Sequence, residues 1–180
     1  MVLLLKRTYE GQVCSIARAL ELVGERWTLL IIRDVALGLH RFDELLASLG
    51  IASNVLTDRL NRLVSAGILD RVRYAERPER FEYRLSAKGR ELGVALLALM
   101  QWGDRYLSDK PPRIARRRGD RATVSARIVA RDGSPVGSEE LELVPGPGAA
   151  VAWVGRPPSA VARGRRRRVS RRLLLAEESS

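Results

Sequence analysis

Cysteine and histidine are nearly missing from this 180-residue chain, which holds only Cys14 and His40. One cysteine cannot close an internal disulfide, and one of each cannot build a structural zinc site. No ligand-spaced cluster replaces them, so no metal or cofactor is expected. There is also no apolar run near the ~18–20 residues that span a bilayer. The opening Met1-Val2-Leu3-Leu4-Leu5 is short, and Lys6 and Arg7 follow it, the reverse of a secretory signal. A soluble, cytoplasmic chain without a membrane partner is expected. No nucleophile stands at a recognisable spacing from a base, and no glycine loop suits a phosphate. An enzyme is therefore not expected.

Basic charge is what the chain has in excess. The formal net charge is +11, from 32 Lys+Arg and 21 Asp+Glu. The excess lies mainly after residue 108, where Arg163, Arg165, Arg166, Arg167, Arg168, Arg171 and Arg172 crowd together. Such charge attracts polyphosphates through counterion release without reading sequence. Composition alone thus permits DNA, RNA or an anionic surface.

The apolar pattern is helical through the first third. Val13, Ile16, Ala17 and Leu20 share one face of a helix over 13–22, which Gly24 ends. A second helix, about 25–37, turns Trp27, Leu30, Ile31 and Val35 inward and stops at Gly38. A third, about 41–49, buries Phe42, Leu45 and Leu46. After the tight Gly50-Ile51 connection, Ser53 is placed to cap a fourth helix over about 54–66. Two helices joined by so short a turn carry the helix-turn-helix signature. The period then alternates. Strands at 68–74 and 81–85 flank a polar turn at 75–80, the place for a wing. A single long helix, about 87–108, follows. Its stripe through Leu92, Leu96, Leu99, Trp102 and Tyr106 exceeds what a small helical core covers, so part of it is expected to face a partner.

On the fourth helix, Leu56, Leu60, Leu63 and Val64 form the buried side. Asn54, Asp58, Asn61 and Arg62 then fall opposite, with Thr57 and Arg59 on the flanks and Ser53 at the tip. Amide and guanidinium side chains suit base edges and phosphates in a major groove. Any surface helix shows polar residues, and it is the hairpin behind this one that favours DNA. Arg77 and Arg80 in the wing turn can reach a minor groove or flanking phosphates, although Glu76 and Glu79, interleaved with them, also fit a salt-paired loop. Arg41 and Lys88, at helix starts, are further candidates for backbone contacts.

These residues recur as a set. The stretches 14–20, 24–31, 41–45, 51–60, 82–89 and 102–103 stand in the order and spacing of one family, and residues 12–108 resemble the HxlR-type transcriptional regulators, winged-helix proteins related to the MarR group. The resemblance implies a homodimer on a pseudo-palindromic double-stranded operator, controlling a nearby gene in a bacterium. It assigns the dimer contact to the first and last helices, and so to Ile16, Leu20, Leu92, Leu96, Leu99, Trp102 and Tyr106. It aligns Cys14 with a cysteine that some relatives use to sense oxidants or electrophiles, so a redox or small-molecule effector is an expectation. A cysteine on an apolar helix face also serves as a small buried hydrophobe. Relatives with a similar extension often carry a Cys-Gly element near 130–133. Here that cysteine is absent, which leaves a thiol or metal role for the extension without support.

The expected fold is mainly α with a small β-hairpin. An N-terminal arm covers 1–11 and the winged helix-turn-helix 12–108. An extension over 109–154 carries strands at 122–130 and 140–144, and a disordered arginine-rich tail covers 155–180, with a short helical stretch near 173–175. The expected function is a DNA-binding regulator, a repressor. The rival from another class is a protein-interaction or RNA-binding module whose nucleic-acid affinity comes from the basic tail.

Overall fold

Four helices come first: α1 (Ser15–Val23), α2 (Thr28–Ala36), α3 (Phe42–Leu49) and α4 (Ser53–Ser65). A hairpin of β1 (Leu69–Glu76) and β2 (Glu79–Leu85) follows, then α5 (Ala87–Glu91) and α6 (Gly93–Tyr106). The computed structural model describes Tyr9 and residues 14–148. Residues 1–143 form one unit and 144–180 a second, of which only 144–148 is described, without helix or strand. The expected arm over 1–11, apart from Tyr9, and the tail over 155–180 lie outside the described residues.

The core is built where the helical stripes of α2, α3 and α4 meet the base of the hairpin. Ile31, Ile32, Leu45, Leu56, Leu60, Leu63, Ile68 and Leu69 are buried together. Removing such an aliphatic side chain from water stabilises the fold by about 1.5–3 kcal/mol. Within this packing Asp34 is buried as well. Its carboxylate accepts from Ser48 Oγ at 2.8 Å and from Arg33 Nε at 2.7 Å, tying α2 to α3. The connection from α3 to α4 is tight because Gly50 takes φ +61°, a left-handed conformation that costs glycine nothing.

Several sequence expectations need correction. Ser53 is not a cap. Ala52 holds the half-in position without a side-chain bond, and Ser53 is already helical, its carbonyl accepting from Thr57 Oγ1 at 2.8 Å. The second helix starts at Thr28 because Trp27 sits at φ 80° and Glu25–Trp27 form a turn. Leu30, expected inside, is 38% exposed. The hairpin is longer than expected, and the polar stretch is mostly paired strand. Only Arg77 and Pro78 connect the strands. Both faces of its outer half meet solvent, so no alternation marked it. Register runs from Leu69 opposite Leu85 to Glu76 opposite Glu79, with Tyr74 bulged out.

The long last helix is interrupted. α5 ends at Glu91, Leu92 closes a tight turn on Gly89, and α6 restarts at Gly93. In the extension, β3 (Ile128–Val129) pairs with β4 (Pro135–Val136), directly across the Arg131–Ser134 turn. The expected second strand at 140–144 does not form, and its leucines are exposed. Gln101 fixes the extension on α6. Its side-chain amide donates to Val124 O at 2.9 Å and accepts from Ala126 N at 2.8 Å.

Candidate nucleic-acid interface

The outer face of α4 is hydrophilic along its whole length. Leu56, Leu60 and Leu63 hold the inner side, and Ser53, Asn54, Thr57, Asp58, Asn61 and Arg62 are exposed. The six side chains foreseen for this helix therefore all reach solvent. Thr57 is partly engaged by its own helix.

The arginines of α4 are not free cations. Arg62 Nη1 lies 3.2 Å from Glu25 Oε1, and its Nε lies 3.1 Å from Asp58 Oδ2. Arg59 pairs with the other oxygen of Glu25 and with Asp58, and its Nε donates to the Arg26 carbonyl at 3.4 Å. Glu25 thus bridges both guanidinium groups, a role that residue periodicity within α4 could not disclose. The turn preceding α2 delivers it, with Trp27 left-handed and partly buried against the core. A bulky residue rarely adopts that conformation, so the packing around Trp27 must hold it there.

On the wing the interleaved charges are sorted unevenly. Glu79 and Glu76 lie 3.4 and 3.7 Å from Arg73, and Glu82 lies 2.7 Å from Arg84. Arg77 and Arg80 are exposed, and neither forms an ion pair among the described residues. Arg71 likewise forms no ion pair among the described residues. Arg71 lies over the Phe81 ring at 3.6 Å and Arg41 over Tyr74 at 4.8 Å, so both cations sit on aromatic faces.

Arg41 stands where α3 joins the sheet. His40 O accepts from Tyr83 N at 2.7 Å, and Arg41 bridges to Glu82, adding a one-residue third strand beside β2. Glu44 secures this corner by accepting from the backbone N–H groups of both Arg41 and His40 at 2.9 Å. Those two bonds, Arg41 first, hold its carboxyl below the usual glutamate range. His40 is thus part of the joint between helix and sheet.

Lys88 has a task inside the fold. Its ammonium donates to Ala66 O at 2.8 Å, at the carboxyl end of α4. Ser86 works beside it: its Oγ donates to Gly67 O at 2.7 Å and accepts from Gly89 N at 3.0 Å. Of the expected partner-facing residues, Leu92 and Leu96 pack partly against the core. Ile16, Leu99, Trp102 and Tyr106 are 67%, 54%, 56% and 62% exposed, and Leu20 is exposed beside them. No residue of α6 is buried. Cys14, half-buried, immediately precedes α1.

Comparison with known proteins agrees with this architecture. A family model described as HxlR-like helix-turn-helix matches residues 22–111. An uncharacterized HTH-type transcriptional regulator of Mycobacterium tuberculosis H37Rv is 44% identical over 147 residues, 80% of this chain and 92% of that protein. Among solved structures, the candidate transcription factor PA1607 superposes with a TM-score of 0.67 at 38% identity, covering 74% of this chain and 96% of that one. A second candidate transcription factor, PA1374 of Pseudomonas aeruginosa, gives 0.56 at 42% identity, over 77% and 97%. With its helix-turn-helix and wing, the chain belongs to the HxlR-like helix-turn-helix family of transcriptional regulators.

Proposed function

We propose that this regulator is a homodimeric repressor that reads a pseudo-palindromic operator in duplex DNA. In this reading α4 enters the major groove, with Asn54 and Asn61 on base edges and Ser53, Thr57, Asp58 and Arg62 around them. Asparagine can pair bidentately with adenine, and a good pair of that kind discriminates by about 1–3 kcal/mol. Arg77 and Arg80 reach flanking phosphate or minor groove, and Arg41 supports them from the base of the wing. Phosphate contacts fix the register of the protein, and base contacts supply the sequence.

The observation that carries the reading is the pairing of a wholly hydrophilic α4 face with a wing tip whose two arginines have no ion pair among the described residues. For the dimer, support comes from the apolar stripe of Leu99, Trp102 and Tyr106, which continues past the core, together with Ile16 and Leu20 on α1. Twofold pairing of such helices sets two α4 copies a fixed distance apart, as an operator with repeated half-sites requires. Cys14, beside α1, is the candidate for an oxidant or electrophile signal. With no second cysteine in the chain, a disulfide through it joins two molecules.

Genome-wide footprinting followed by gel shift on the enriched fragments tests the reading. Asn54→Ala and Asn61→Ala are expected to weaken binding to an enriched fragment about 5- to 150-fold with melting temperature unchanged. Binding of the wild-type chain to enriched fragments no tighter than to random duplex, at matched salt, overturns it. Loss of all binding on deletion of residues 155–180 would instead favour a module driven by its basic tail.

A further inference from the structure

We propose that Glu25 is a carboxylate that stands in for DNA phosphate on the guanidinium groups of α4 and so weakens the sequence-independent attraction of this face for duplex DNA. The proposal rests on the reading of α4 as the DNA-contacting helix. Glu25 lies outside that helix, in the turn before α2, yet it touches both of its arginines, as Asp58 does from within the helix. Arg59 is 20% exposed and is further held by Asp58 and the Arg26 carbonyl, so it anchors α4 to the turn. Arg62 is 59% exposed and could swing to a phosphate, but Glu25 and Asp58 hold it from two sides.

The groove between α1, the turn and α4 is lined by Glu21, Glu25, Asp58, Arg59 and Arg62, so acidic charge slightly exceeds basic. The physical consequence is direct. A duplex that takes the Nη1 or Nε donors of Arg62 must exchange carboxylate for DNA oxygen, and one that uses Nη2 still brings Glu25 and Asp58 against the polyanion. That cost falls on the phosphate attraction that every duplex shares, so it weakens sequence-independent binding, while base contacts from the asparagines add affinity at the operator alone. Phosphate attraction is thereby left to the wing tip, and α4 contributes where the bases match.

The test measures binding of the full-length chain to a random-sequence duplex between about 50 and 200 mM salt, a range over which phosphate contacts dominate. Glu25→Gln is expected to bind random duplex about three- to tenfold more tightly at the low end and to steepen the log–log salt slope by up to about 0.9, the value of one further phosphate contact. Glu21→Gln removes the same charge from the same groove without touching either guanidinium, and is expected to change the slope far less. Adding Arg62→Ala to Glu25→Gln should abolish the gain. Equal effects of Glu25→Gln and Glu21→Gln would reduce the result to bulk charge and overturn the proposal. Weaker binding by Glu25→Gln with a lowered melting temperature would overturn it too, leaving Glu25 a structural brace. A wild-type chain that binds no duplex at about 50 mM salt would sink the DNA-binding reading itself, a result distinct from either.

Discussion

The carbonyl oxygen of Ile68 occupies the space that a side chain on residue 89 would need: a Cβ built on Gly89 falls 2.2 Å from it. The contact joins the end of α4 and the start of β1 to α5. Ser86 N donates to the same carbonyl at 3.1 Å, and Lys88 caps Ala66 one turn away. The run Ser86–Gly89 is therefore a clasp that fixes the carboxyl end of α4.

Gly89→Ala must push α5 off that backbone oxygen. Overpacking of this kind costs about 1–3 kcal/mol, and the melting temperature should drop by several degrees in calorimetry. Gly93→Ala serves as the comparison, because a Cβ at Gly93 meets nothing within 4 Å. Equal loss in both variants would count against the clasp.

Glu44 links acidity to stability at the joint between α3 and the wing. The Arg41 and His40 N–H groups lower its pKa from the ordinary value of 4.5 in the folded state. A depressed carboxyl contributes stability above its unfolded pKa and loses it as pH falls through the folded one. Glu44→Gln keeps an acceptor but loses the charge. It is expected to melt lower than wild type at pH 7, with the gap closing below about pH 5. A gap constant down to pH 3 would be the opposite result.

The wing arginines are expected to act through salt-sensitive contacts. Arg77→Ala with Arg80→Ala should flatten the log–log salt dependence of duplex binding by up to about 1.8, two phosphate contacts' worth. Thermal stability should stay at the wild-type value, since neither side chain forms an ion pair among the described residues. An unchanged slope would remove the wing tip from the interface.

Along α6 one apolar stripe is expected to do two jobs. Leu96→Glu should lower the melting temperature, because Leu96 packs against the core. Trp102→Glu should leave folding intact and halve the mass seen by light scattering at micromolar concentration, because Trp102 is exposed and lies outside the core, its ring tilted against Tyr106 with centroids 5.5 Å apart. A wild-type chain already monomeric there would remove the dimer from the proposed function.

Local chemistry determined a good deal. The leucine spacing of α4 was enough to place Asn54, Asp58, Asn61 and Arg62 outward, because helix period alone decides which residues share a face. Gly50 marked the short turn, and the alternation at 81–85 marked the inner strand of the wing. What packing decides could not be read that way. The close approach of Gly89 to Ile68 and the break of the last helix at Leu92 leave no mark in the residue pattern, and the solvated outer hairpin carries no alternation to reveal its pairing. Only the tertiary structure sorted the charges, giving Glu25 to Arg59 and Arg62, Glu79 to Arg73, and leaving Arg77 and Arg80 exposed. The reason is physical: an ion pair depends on distances of a few ångströms between segments far apart in the chain, and residue order does not encode those distances one position at a time.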